Sequence, residues 1–377
     1  MGLAHVGELE PGAERVKLDI GLLRLRVAAA QPGGQRLPAL AERIERAIAA
    51  AEALGLHTQA AAGWEILAYW RQRTSNSDQT RDATLAAERL TRRADTTTHC
   101  LQLANSGRCL LDIEADPARG RALLAEAAAL AGQLDLQVME IDWGRGLIAR
   151  ADGDLDGACD ALAIAVERAR LADNHWREFE CRVWLATVDY ERGRDADVLR
   201  HVDEIVAAAA RMGEPQAPFA QTLGTLARWR QGDAGAEAAL ATHLDALREL
   251  DDKAHLAYAL NEAAALALAA GRRAEATSWA TEALAAAQAV RRPTEVAVAR
   301  ARLACAAPDA QHAARWLAAE ESAPAGVAGR GTEGAQGIKS VQSAPPEAAV
   351  GAPSARALAA LAQAARAFPT VAPTPAV

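Results

Sequence analysis

The sequence predicts an all-α superhelical solenoid of about eight helix-turn-helix repeats. Three observations carry this prediction. A turn signal returns at near-constant spacing, the stretches between turns carry apolar stripes of helical period, and the apolar content is dominated by alanine. The chain has 377 residues, 51% of them hydrophobic but only 4% aromatic. Alanine favours helix and adds little bulk, so a core must come from many closely packed helices. Phe and Tyr number three each, and few stretches alternate with period two, which argues against an all-β or large parallel-sheet fold.

The turn signal comes first. It reads Ala115-Asp116-Pro117, Gly153-Asp154, Gly193-Arg194-Asp195, Gly232-Asp233 and Gly271-Arg272, at separations of 38, 40, 39 and 39 residues. Less complete members fall at Gln31–Gln35, Ser75–Asp78 and Ala307–Asp309. Glycine at such a bend ends the first helix, and the Asp after it suits the free N–H groups that open the second. Asp116-Pro117 pairs an N-cap with proline at the first helical position. Hairpins of this period tile residues 12–321, preceded by an N-terminal extension at 1–11.

Within one repeat, the first helix carries Leu256, Ala259, Leu260, Ala263, Ala264 and Ala267. The second carries Ala276, Trp279, Ala280, Ala283, Leu284 and Ala287. Both follow the spacing of a one-sided helix. One such pair cannot bury both stripes, so neighbouring hairpins must stack. Residues 322–377 are rich in Ala, Gly and Pro without a sustained stripe. They read as a largely disordered tail in which Ser354–Phe368 has the pattern of one short helix.

The stretch Gly146–Ala165 places a small residue, then Gly153-Asp154, then Ala158, Leu162 and Ala165. In this it resembles a tetratricopeptide (TPR) repeat. The period near 39 is longer than the family's 34. The chain is therefore closer to the longer-period arrays at the C-terminal end of large bacterial signalling ATPases, which include LuxR/MalT-like regulators and cyclase-linked predicted ATPases. The segment Glu14–Val27 is similar to the one that often opens such arrays. The resemblance implies a right-handed superhelix that takes a protein or peptide in its concave groove. It also implies an ATPase or cyclase module in the same or a neighbouring polypeptide.

The chemistry-bearing residues form no catalytic constellation, and no cofactor is expected. Five cysteines are scattered without a CxxC pair, which fits a reducing cytoplasm. His99-Cys100 with Cys109 reads as a polar histidine and buried thiols. Glu178 and Glu180 beside Arg177 and Arg182 read as a solvated helix face. Gly334–Ser340 approximates a phosphate loop, but isoleucine separates its glycine from Lys339. Asp152, Asp154 and Asp156 reproduce the opening of a calcium loop. Its twelfth position holds Ala163 in place of a bidentate Glu, so a capped turn is expected, with those three aspartates the alternative metal ligands.

The charge balance, 41 Lys+Arg against 49 Asp+Glu, excludes the electrostatic footprint of a nucleic-acid or anionic-membrane binder. Met1–Glu8 lacks the pattern of a signal peptide, and no apolar run approaches membrane-spanning length. Registering the repeats on their turns puts Gln102, Asn105, Glu140, Trp143, Tyr190, Trp229, Tyr258 and Asn261 on or near the inner face. These are the candidate partner-binding residues, and a Trp or Tyr among them serves equally as filler between helices. The sequence thus reads as a non-enzymatic scaffold for a protein or peptide in bacterial signalling or transcriptional regulation. Two alternatives stay open: a sensor region for a small molecule, and part of a larger ATPase or cyclase regulator.

Overall fold

A computed structural model describes residues 12–28, 38–73, 77–211, 217–318 and 353–368. Among the described residues there are seventeen helices and no strand. In chain order they are α1 (Ala13–Ala28), α2 (Pro38–Ala53), α3 (His57–Arg73), α4 (Ser77–Thr91), α5 (Thr96–Asp112) and α6 (Pro117–Leu134). There follow α7 (Met139–Asp152), α8 (Leu155–Leu171), α9 (His175–Glu191), α10 (Asp195–Arg211), α11 (Pro218–Arg230) and α12 (Ala236–Glu249). The last five are α13 (Lys253–Ala269), α14 (Arg273–Ala289), α15 (Pro293–Ala306), α16 (Ala310–Leu317) and α17 (Ala355–Ala367). The first sixteen pair into eight hairpins; each second helix packs on the next first helix, and at most junctions the first helices also touch. The fold is the all-α solenoid that the turn spacing predicts.

The bends fall on the predicted glycines. Gly153, Gly193, Gly232 and Gly271 have φ of 88°, 75°, 87° and 76°, the left-handed region in which only glycine is unstrained. The residue after each donates its N–H five residues back: Asp154 to Ala149, Arg194 to Asp189, Asp233 to Arg228 and Arg272 to Ala267. This closes otherwise unpaired carbonyls at the helix end. Capping by Asp is less regular than the spacing suggests. Asp116 and Asp154 accept from the N–H of Arg119 and Gly157 at 3.0 and 2.9 Å. Asp195 instead turns its carboxylate to Arg230.

The junctions between hairpins carry a second periodic device that the glycine signal hides. Asp135, Asp173, Asp251 and Arg291 sit there at φ of 52–55°. In two of them the next residue caps the following helix, Asn174 accepting from Arg177 N–H and Asp252 from His255 N–H. Asp tolerates the left-handed region better than most side chains, which makes Asp-Asn and Asp-Asp readable junction marks.

Small residues set the helix spacing. A Cβ on Gly107 of α5 would lie 2.8 Å from the Gly120 carbonyl of α6, and one on Gly120 only 2.9 Å from Leu111. Likewise Gly146 of α7 leaves room for Leu162, and Ala158, Leu162 and Ala165 are fully buried. The TPR-like pattern of Gly146–Ala165 is therefore a packing pattern. Apolar clusters succeed one another along the array, and one of them joins Ala186, Ile205, Leu223, Leu240, Leu260 and Ala283 across three hairpins.

The array curls until it meets itself. Ser77 Oγ at the start of α4 donates to the Val290 carbonyl at 2.5 Å, and Asp78 pairs with Arg291. Arg292 donates to the Asp112 carbonyl, and Thr294 N–H to Glu114 at 3.1 Å. The last two pairs lie 180 residues apart and Ser77 and Val290 213, so the seam joins hairpins about five repeats apart.

Of the predicted tail, only 353–368 lies within the described residues, and it is a docked helix. α17 runs parallel to α15 in register: Thr294 bonds Ser354, Glu295 meets Arg356, and Arg302 donates to Gln363. It thus takes the place of a ninth first helix. Ala357, Ala360 and Ala364 form its buried stripe, the last two in one cluster with Val298, Ala301 and Ala304. The extension at 1–11, the turn at Gln31–Gln35 and the approximate phosphate loop at 334–340 lie outside the described residues. Among the described residues no helix is long and apolar enough to cross a membrane.

Candidate interaction face

Side chains from alternate repeats touch one another, which places the first helices on the inside of the curve. Two polar clusters lie there. The earlier one centres on Arg177 of α9. Its guanidinium bonds Glu180 at 2.9 Å, approaches Glu140 of α7 to 3.8 Å and reaches Asn105 of α5 at 3.5 Å. Burial opposes the charge on Arg177, but Glu180 and Glu140 outweigh it and hold the group firmly protonated. Asn105 donates to Glu65 of α3 at 3.1 Å and accepts from Arg108 at 3.1 Å. For Glu65 burial wins, pushing its carboxyl above the usual range despite Arg24, Asn105 and Arg177.

The later cluster centres on Arg356 of α17. Its guanidinium donates to Glu262 at 2.6 Å, pairs with Glu295 and lies 3.5 Å from Glu191. Tyr258 offers its ring face 4.3 Å away and donates its hydroxyl to Glu191 at 3.2 Å. Arg150 holds Glu191 from the other side through two bonds of 2.9 and 2.6 Å. Burial alone would raise the Glu262 carboxyl, but Arg356, Arg302 and Arg230 together hold it below its ordinary value. A guanidinium that is almost withdrawn from water is stable here because three carboxylates and a π face surround it.

The eight candidate residues divide between these clusters and the packing beside them. Gln102 is buried and donates to Ser106 at 3.0 Å. Trp143 is 1% exposed, with Arg108 and Arg177 over its ring at 4.4 and 5.6 Å. Tyr190 is 2% exposed beneath Arg230, and Asn261 is fully buried, donating to Glu295 at 2.8 Å. Trp229 packs edge-on against Trp279 at 5.8 Å, below Arg272. Asn105, Glu140 and Trp229 retain partial exposure, while the other five are inside. Glu178 corrects the expectation of a solvated face: it is buried and holds Arg182 at 2.9 Å.

The remaining motifs disperse. Asp152 pairs with Arg121, Asp154 caps α8, and Asp156 pairs with Arg192, so the three aspartates face three separate partners. Among the described residues no three His, Cys, Asp or Glu groups converge on a metal position. His99 contacts Thr91, whereas the Cys100 and Cys109 thiols point to the Ala127 carbonyl and to Thr84. Burial raises every thiol, with Cys159 pushed up to about 11 by burial and by Asp189.

No family model and no curated protein matches the chain. Among solved structures it is similar to a Signal Transduction ATPase with Numerous Domains (STAND) protein with a tetratricopeptide repeat sensor from Pyrococcus horikoshii. The two share 10% identity at a TM-score of 0.46, over 81% of this chain and 48% of that one. The chain therefore spans about half the length of that protein.

Proposed function

We propose that this chain is a non-catalytic protein-interaction scaffold in bacterial signalling or transcriptional regulation, and that its inner face is the binding surface. The observation that carries this reading is the occupancy of that face. There α17, which packs on the last hairpin through its alanines, turns Arg356 into one deep ion-pair cluster. A partner helix presents the same chemistry, as in helix-in-groove recognition. Asn105, Glu140 and Trp229 are the candidate residues with surface left to offer. An ATPase or cyclase module, in this polypeptide or a neighbouring one, is the output that such a scaffold would bias.

The test is quantitative capture from native lysate with the tagged full chain, beside an Asn105→Ala/Trp229→Ala variant of equal helix content by circular dichroism. A partner enriched by the wild type and lost with the variant is expected. Recovery of no protein, or equal recovery by both, overturns the reading.

A second reading, small-molecule sensing, has its own observation. A shallow cavity of about 540 Å³ between α4 and α6 is lined by Leu85, Glu88, Arg89, Arg92, Arg93 and Arg119. Glu88 engages Arg92 and Arg119, and the cavity suits a small anion. A thermal-shift screen of phosphorylated and dicarboxylate metabolites separates the two readings, since a stabilising ligand raises the melting temperature.

A further inference from the structure

We propose that Glu191, Glu262, Glu295 and Tyr258 form a recognition pocket for an arginine carried on a helix, and that Arg356 is its resident occupant. The inference rests on reading the inner face as the partner-binding surface, and it names what that surface recognises.

Charge comes first. Three carboxylates from three different first helices converge on one guanidinium, with an aromatic face completing the enclosure. Arg150 already neutralises Glu191, and Arg302 and Arg230 assist at Glu262, yet the direct ion pairs of Glu262 and Glu295 are made to Arg356. If Arg356 left, buried carboxylates would stay uncompensated, which is costly unless another cation enters. Guanidinium suits the place better than ammonium, because its planar fork serves several carboxylates at once and stacks on a ring.

The rest of α17 packs on the last hairpin, with Leu361 and Phe368 partly buried in the same cluster as Trp316 and Leu317. Its buried stripe consists of Ala357, Ala360 and Ala364, side chains with little apolar area to withdraw from water. Leu358 stands 53% exposed. Arg356 is the charged determinant, and the alanines define a flat track for a helix with small residues at matching positions. Ser354 adds a third element, capping the helix at Ala357 and bonding Thr294 at 2.9 Å. The recognised ligand is a helix that opens with a capping hydroxyl, carries arginine two residues later, and shows small residues one, four and eight positions beyond it.

The experiment uses the full chain with Ala360→Asp, which places a charge on the alanine track and leaves the pocket untouched. A fluorescein-labelled peptide of residues 353–368 is titrated by anisotropy against this variant and the wild type. The peptide should bind the variant at least 10-fold more tightly than the wild type, whose pocket is filled. A peptide carrying Arg356→Ala should bind at least 10-fold more weakly, Arg356→Lys should fall between, and Glu262→Gln in the Ala360→Asp chain should abolish binding. Absence of peptide binding to the Ala360→Asp chain, or equal binding of the arginine and alanine peptides, overturns the proposal. Lost peptide binding with retained partner capture removes the pocket alone. Peptide binding without any captured partner removes the scaffold reading alone.

Discussion

Arg356 donates from Nη2 to Oε1 of Glu262 over 2.6 Å, joining positions 94 residues apart. The pair fixes the sign of one pH effect. Glu262 titrates below its unfolded value near 4.5, so the stability it contributes is present above that pH and is lost as the pH falls through the folded value. Urea midpoints measured from pH 7 to pH 3 should drop in the wild type below about pH 4.5. Glu262→Gln should have a lower midpoint at neutral pH and a shallower acid limb.

Glu65 predicts the opposite sign. Its carboxyl is raised because burial outweighs Arg24, Asn105 and Arg177, so ionisation costs stability above the unfolded value. Glu65→Gln should melt higher than wild type at pH 7.5, and the gap should close as the pH falls below about 4, where both states are protonated. Differential scanning calorimetry at the two pH values decides it; a lower melting temperature at pH 7.5 would contradict the assignment.

Two glycines on α6 should respond in opposite directions to the same substitution. Gly120→Ala forces a methyl against Leu111 and the Gly107 carbonyl, costing about 1–3 kcal/mol. Gly132→Ala meets nothing within 4 Å and gains roughly 0.5–1 kcal/mol from helix propensity. Chemical denaturation of the two variants checks the pair.

Asp154 is expected to behave as a helix cap. Asp154→Ala should destabilise by about 1 kcal/mol in urea. Isothermal titration of wild type with calcium should give no saturable heat, since Asp152 and Asp156 are committed to Arg121 and Arg192.

The thiols give a further check, on burial. Cys100, Cys109, Cys159 and Cys181 are buried and Cys305 is half-buried, all with raised pKa. At pH 8 a disulfide reagent should modify at most one thiol within minutes in the native chain, and all five in urea.

Much of the architecture was legible because it depends on single residues and short periods. Gly153, Gly193, Gly232 and Gly271 mark bends since the left-handed region penalises most other side chains, a property independent of the remainder of the fold. The stripe from Leu256 to Ala267 is likewise a local fact. The junctions at Asp173 and Asp251 were missed because Asp beside a helix start reads first as a cap. The site was harder still. Whether Tyr258 meets Glu191, or Asn105 meets Arg177, depends on superhelical pitch, which accumulates over many small rotations between repeats. The alanines of α17 announce a helix but not its berth, and only the geometry of α9, α13 and α15 makes Arg356 their natural complement.

The seam between Ser77 and Val290 has an evolutionary corollary. An open solenoid tolerates gain or loss of a unit, because each unit answers only to its neighbours. Here the coil touches itself, and duplication or deletion of one hairpin between α5 and α15 would carry Arg292 past Asp112 to a different surface. Repeat number in this span is thus discrete, counted by a lateral contact as teeth are counted by a closing gear.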